Sequence, residues 1–92
     1  MRRKNYFVYI ISCNDGSFYT GYTTCLEKRI QLHKMGRGAR YTQSHGFGEL
    51  IYKEILVDRG EAMKRERQIK RLSHEEKRLL GNEHERLQLS DQ

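Results

Sequence analysis

From Tyr6 to Ile11 every residue is aromatic or β-branched, and Ser12 closes the run, so neither side of a strand here is polar. A strand that is apolar on both faces has to be covered on both, which places it centrally in a sheet. Asn14-Asp15-Gly16-Ser17 follows at once and offers residues that tolerate positive φ. Phe18 to Tyr22 then returns as the second strand of a hairpin. Leu50 to Val57 reads as a third strand, with Ile51, Ile55 and Val57 towards one side and Leu50, Tyr52 and Leu56 towards the other.

Helical spacing fills the intervals. Leu26, Ile30 and His33 recur along a helix from about Cys25 to Met35, which Thr23 or Thr24 can cap and Gly36 and Gly38 stop. Residues 36–48 read as a Gly-rich polar loop. Asp58 can cap a second helix from about Gly60 to Leu72. Ser73 with Glu76 forms a capping box for a short third helix through Leu80, ended by Gly81. The expected fold is α+β: a small three-stranded antiparallel sheet flanked by helices in the order ββαβαα. Residues 1–81 form one domain, and 82–92 a polar, frayed tail.

The chain has 92 residues, too few for two separate cores. Its 18 Lys and Arg exceed its 12 Asp and Glu, giving a net charge of +6, which favours a polyanionic partner. No stretch is long or apolar enough to span a membrane. The basic start Arg2-Arg3-Lys4 precedes an apolar run too short for a secretory signal. Two cysteines, Cys13 and Cys25, do not make a disulfide scaffold, so a cytoplasmic protein with reduced thiols is expected. Cys13, Cys25, His33 and His45 lack zinc-ligand spacing and read as structural or bystander residues instead of zinc ligands.

Basic residues are unevenly placed. No acidic residue occurs between Lys28 and Gly48, whereas Lys28, Arg29, Lys34, Arg37 and Arg40 all do. Arg37, Arg40 and Tyr41 alternate with flexible backbone, a pattern suited to phosphate contacts and to stacking on an unpaired base. The second helix adds Lys64, Arg65, Arg67, Lys70 and Arg71, some of which simply solvate its outer face. No base-reading motif is present, which favours structure-selective or weakly selective binding.

A candidate chemistry follows from four positions. A hairpin turn near Asp15 and Gly16 sets Tyr9 opposite the span from Tyr19 to Tyr22, either as cross-strand packing or as a pair of phenols in a site. Arg29 and His33 share a helix face at i and i+4. A guanidinium at the seam of sheet and helix can grip two phosphate oxygens. Glu66 interrupts the apolar stripe of Ala62, Met63, Ile69 and Leu72. A carboxylate there needs a partner, either an arginine such as Arg29 or a divalent cation that keeps most of its waters.

Val8-Tyr9-Ile10, Tyr19-Thr20-Gly21, Arg29, His33 and the helix Glu61-Ala62-Met63-Lys64-Arg65-Glu66 together resemble the GIY-YIG endonuclease superfamily, in particular its small stand-alone bacterial members. The resemblance covers roughly residues 5–80. It implies that Tyr9 and Tyr19 are the motif tyrosines, one of which activates or orients the attacking water. It also implies that Arg29 contacts the scissile phosphate, that His33 stands near the site, and that Glu66 binds the metal. Gly21 would permit close backbone approach. Val8 and Thr20 depart from the motif's name, and Tyr22 stands where some members have lysine.

The function so implied is divalent-metal-dependent hydrolysis of phosphodiester bonds in DNA, with RNA as a second substrate class and one Mg²⁺ or Mn²⁺ held by Glu66. A non-catalytic nucleic-acid-binding module is the alternative. A nuclease subunit whose specificity comes from a protein partner is the third reading.

Overall fold

The structure, a computed structural model, describes residues 5–90; the basic start Arg2-Arg3-Lys4 and the last two residues of the tail lie outside the described residues. Strand β1 is Tyr6–Cys13, β2 is Phe18–Thr23 and β3 is Phe47–Leu56. They form one antiparallel sheet in the order β2-β1-β3, so the doubly apolar strand is the central one. Helices α1 (Leu26–Lys34), α2 (Arg40–His45), α3 (Arg59–Lys70) and α4 (His74–Ser90) complete the fold.

The hairpin turn is held from within. Asp15 Oδ1 accepts a hydrogen bond from Ser17 N at 3.0 Å, and Gly16 takes φ +86°, a value that disfavours any residue with a Cβ. The resulting register sets Tyr9 opposite Gly21 and Ile11 opposite Tyr19. Tyr9 and Tyr19 therefore share a face as diagonal neighbours.

Alternation along β1 divides the core. Val8 and Ile10 turn to one face, where Ala62 and Ile69 of α3 cover them together with Leu72 and Leu80. Tyr9, Ile11 and Cys13 turn to the other, beneath Leu26 and Ile30 of α1 and beside Phe47 and Leu50. The expected split of β3 into two faces is broken by irregularities between Ile10 and Ile11 and between Ser12 and Cys13. A bulge inserts an extra residue and so interrupts strict alternation. Ile51 therefore packs with Tyr52 and Leu56 on the α3 side, while Leu50 goes to the α1 side. Ile55 and Val57 stay largely in solvent.

The caps on α3 and α4 form as expected. Asp58 Oδ1 accepts from Glu61 N at 2.8 Å, and Ser73 and Glu76 exchange reciprocal bonds of 3.1 and 2.9 Å. Three expectations are corrected. Residues 36–48 are not one polar loop: they contain α2 and the beginning of β3, since Gly36 at φ +75° turns the chain and Thr42 anchors the new helix in the interior. The order is therefore ββααβαα. The first helix is not capped by a threonine side chain: its N-cap is Cys25, and Thr23 Oγ1 accepts from Cys25 N at 3.2 Å. Gly81 does not end the last helix, which continues to Ser90. Gly81 is buried against β3, where a Cβ would come within 2.8 Å of Ile51 Cδ1. Its glycine serves close packing, a role that spacing along the chain does not distinguish from a stop signal.

Candidate active site

On the α1 face of the sheet a chain of hydrogen bonds runs through buried polar groups. Tyr9 Oη lies 2.9 Å from His33 Nε2, and His33 Nδ1 lies 2.7 Å from Thr42 Oγ1. Tyr9, His33 and Thr42 are each no more than 1% exposed. Buried polar groups of this kind are tolerated because each finds a partner. The tyrosine comes from β1, the histidine from the last turn of α1 and the threonine from α2, so three elements must meet to build the chain.

Two glycines make room for it. A Cβ on Gly21 would fall 2.7 Å from Tyr9 Oη and 3.0 Å from Tyr19 Cε2. A Cβ on Gly38 would fall 2.4 Å from His33 Nδ1. Real Cβ atoms do not approach so closely, so both positions require hydrogen in place of a side chain.

Tyr19 extends the cluster outwards. Its ring centroid is 6.3 Å from Tyr9, 5.2 Å from His33 and 5.9 Å from Tyr41. Tyr19 is half-buried and Tyr9 is 1% exposed, so of the two phenols Tyr19 is the one that reaches solvent. Tyr41, exposed, stacks on His45 at 4.1 Å, and His45 Nδ1 is hydrogen-bonded to the Asp15 carboxylate of the hairpin turn. Ser17 and then His45 hold that carboxyl well below the usual carboxylate range.

The charges around the phenols oppose one another. Burial pushes Tyr9 far above the ordinary phenol range, Tyr19 and Glu66 add to the rise, and Arg29 counters it. Tyr19 is raised by burial and then by Glu66, and is drawn down by Arg29 and by the neighbouring Tyr9 hydroxyl. Burial, and after it Arg29, holds His33 below the usual imidazole range, so the ring is neutral at neutral pH. Arg29 is half-buried and donates from Nη1 to Gly38 O at 3.4 Å. Glu66 comes from α3, the helix of the opposite face, yet its charge acts on both phenols.

The structure thus brings Tyr9, Tyr19, Arg29 and His33 together, with Gly21 against the phenols, and Glu66 on α3 reaches the two phenols only through its charge. Glu66 is not paired with Arg29; its partner is Lys70, 3.5 Å away, and its side chain is 18% exposed. Among the described residues no three His, Cys, Asp or Glu side chains gather into a metal-binding group. A lone carboxylate whose only ion-pair partner among the described residues is the flexible Lys70 fits a hard cation that keeps several waters, as Mg²⁺ or Mn²⁺ does.

Lys28, Lys34, Arg37 and Arg40 are exposed, and the Lys34 ammonium lies 5.8 Å from the centre of the Phe47 ring. Arg65 is engaged by Glu54 at 3.0 Å, which withdraws it from the free charge of α3. Sequence reasoning missed Thr42, the packing role of Gly38 and the Asp15–His45 tie. Thr42 lies nine positions from its histidine partner, on a helix not expected, so no local pattern marks it.

A phenol pair, a guanidinium and a helix-borne carboxylate on a three-stranded sheet define a class, and the chain belongs to it: the GIY-YIG catalytic domain model matches residues 5–79. Its relatives include the UPF0213 proteins. That of Oceanobacillus iheyensis is 45% identical over 74 residues, covering 80% of this chain and 86% of the relative. That of Desulfotalea psychrophila is 49% identical over 79 residues, covering 85% of this chain and 72% of the relative. The solution NMR structure of the UPF0213 protein from Bacillus halodurans is similar at a TM-score of 0.52 and 44% identity, covering 83% of this chain and 81% of that one. The family is a nuclease family, which makes nucleic acid the substrate class. Among the described residues no helix is long and apolar enough to cross a membrane.

Proposed function

We propose that this chain is a divalent-metal-dependent endonuclease that hydrolyses phosphodiester bonds in DNA, structure-selectively or with weak selectivity, in the cytoplasm. The observation that carries the reading is the convergence of Arg29 and Glu66, by charge, on two neighbouring phenols whose inner member, Tyr9, is hydrogen-bonded to His33.

Tyr19 is the phenol that meets the attacking water, because Tyr9 is sealed from solvent. As the water attacks, Tyr19 takes one of its protons and passes its own to Tyr9, which passes its own to His33 Nε2. The hydroxide forms the new bond to phosphorus. The leaving oxygen departs with the bonding electrons and takes a proton from solvent. A phenol is a weak base at neutral pH, and this inward transfer lets Tyr19 act without first standing as a phenolate. Arg29 neutralises charge that develops on the phosphate oxygens. A cation held by Glu66 supplies further positive charge to that phosphate when bound. Tyr9 and His33 are positioning residues, since neither can touch substrate. Lys28, Lys34, Arg37 and Arg40 hold the flanking backbone, and Tyr41, already stacked on His45, offers a ring face to a base.

The test is cleavage by purified protein, with Mg²⁺ or Mn²⁺ and with chelator, of single-stranded, duplex and branched DNA and of RNA. Metal-dependent cutting lost in Glu66→Ala, with an unchanged circular dichroism spectrum, supports the proposal. Undiminished cutting by Glu66→Ala refutes the metal role. Binding without any cutting across the panel would leave the non-catalytic binding module instead.

A further inference from the structure

We infer that Thr42 is a positioning residue that fixes the tautomer of His33 and thereby the direction in which the phenols present their protons. The consequence for cleavage rests on the nuclease reading above, whereas the tautomer itself does not.

The argument begins with proton counting. Thr42 Oγ1 has one proton and two hydrogen-bonded neighbours, His33 Nδ1 at 2.7 Å and the carbonyl oxygen of Ala39 at 3.2 Å. A carbonyl oxygen only accepts, so the Thr42 proton goes to Ala39, and Thr42 Oγ1 must accept from His33 Nδ1–H. A neutral imidazole carries a single N–H. With that proton on Nδ1, Nε2 is an acceptor, and the Tyr9 hydroxyl at 2.9 Å donates to it. Tyr9 then has no proton for Tyr19. In the proposed direction Tyr19, its ring centroid 6.3 Å from that of Tyr9, can only donate towards Tyr9 and so presents lone pairs to solvent.

Reversal at Thr42 would reverse every link. If Thr42 donated to Nδ1, His33 would donate from Nε2 to Tyr9, Tyr9 to Tyr19, and Tyr19 would point its hydrogen outward. A water about to lose a proton needs an acceptor, so only the first direction serves it. Thr42 is well placed to hold that direction. It is 1% exposed, and its backbone is fixed in α2, where Gly46 N donates to Thr42 O at 2.9 Å and Gln43 N donates to Ala39 O at 3.1 Å. The imidazole has little room to rotate away, because Gly38 lies against it.

The test is the long-range ¹H–¹⁵N spectrum of the histidine rings in the full chain at neutral pH, assigned with His33→Gln. The wild type should show His33 protonated at Nδ1. Thr42→Val, which keeps the shape and removes the hydroxyl, should move His33 to the Nε2–H form or to a mixture, and Thr42→Ser should restore the wild-type pattern. A wild type already protonated at Nε2, or a Thr42→Val spectrum identical to wild type, overturns the inference. If Thr42→Val fails to fold, the wild-type and Thr42→Ser spectra still decide it. These readouts need no cleavage, so they stand or fall apart from the nuclease reading. Where cleavage is measured, Thr42→Val should lower kcat about tenfold or more at unchanged KM, with recovery in Thr42→Ser. A change in KM alone counts against the inference.

Discussion

The two faces of the sheet are built from alternate residues of one strand, yet they do different work. Val8 and Ile10 pack on Ala62 and Ile69 of α3 and beside Leu72 and Leu80, which makes that face a plain, predominantly apolar core. Tyr9, between them in sequence, turns to a face where His33 and Thr42 are as deeply buried as any aliphatic side chain. The first face contributes stability by removing apolar area from water. The second spends burial on polar groups that stay in register only because each has a partner. A strand that must be central for packing reasons thus also delivers a phenol into the interior from which a site can be assembled.

The largest expected effect tests the plain face. Ile69 is fully buried against Val8 and Ile10, so Ile69→Ala should cost about 2–5 kcal/mol in urea unfolding. Cleavage per folded molecule should stay near wild type. A loss of activity beyond the loss of folded protein would mean that the two faces are not separable.

Gly21→Ala probes the other face. The added methyl group would lie 2.7 Å from Tyr9 Oη and 2.9 Å from Tyr9 Cζ, so the phenol has to move. Because Tyr9 is tied to His33, the shift should break the chain rather than relax it. Overpacking should cost about 1–3 kcal/mol, and kcat should fall by about tenfold or more. A crystal structure or NMR spectrum with Tyr9 and His33 still bonded would contradict this account.

The contrast also explains what the sequence could reveal. The central strand, the hairpin register and the caps at Asp58 and Ser73 are local or periodic properties, and these are legible. Glu66 was conspicuous because it breaks an apolar stripe, although its partner proved to be Lys70 and not Arg29. The role of Thr42 was invisible and Gly38 read only as a helix stop, since what both do depends on contact with His33 across a turn whose path depends on Gly36. Gly81 was misread for the same reason: a close helix–strand contact has no signature along the chain. The bulges in β3 likewise defeated alternation, because a single extra residue inverts all that follow.

A smaller effect should appear with pH. His33 is held below its unfolded value by burial and by Arg29, so the unfolded chain binds a proton there more readily than the native one. Stability from this group is therefore full above about pH 6.5 and declines as pH falls towards the native value. Thermal unfolding between neutral and mildly acidic pH should show Tm falling, with a shallower slope in His33→Gln. The two proteins share every other ionisable group, so the difference in slope isolates His33. Equal slopes would mean that His33 is not held in its neutral form by the fold.

The smallest effect returns to the plain face, where one polar group breaks the pattern. Thr20 pairs with Ile10, is 4% exposed, and its Oγ1 has no hydrogen-bond partner among the described residues. A buried hydroxyl without a partner is destabilising, whereas an apolar group of the same shape is not. Thr20→Val should therefore stabilise by about 1 kcal/mol, a rise in Tm of roughly 4–8 °C for a domain of this size. Cleavage should be unchanged, because the side chain faces away from Tyr9 and Tyr19. The opposite sign would be as informative: a lower Tm would show that the hydroxyl is satisfied in solution, and the plain face would then carry a polar contact of its own.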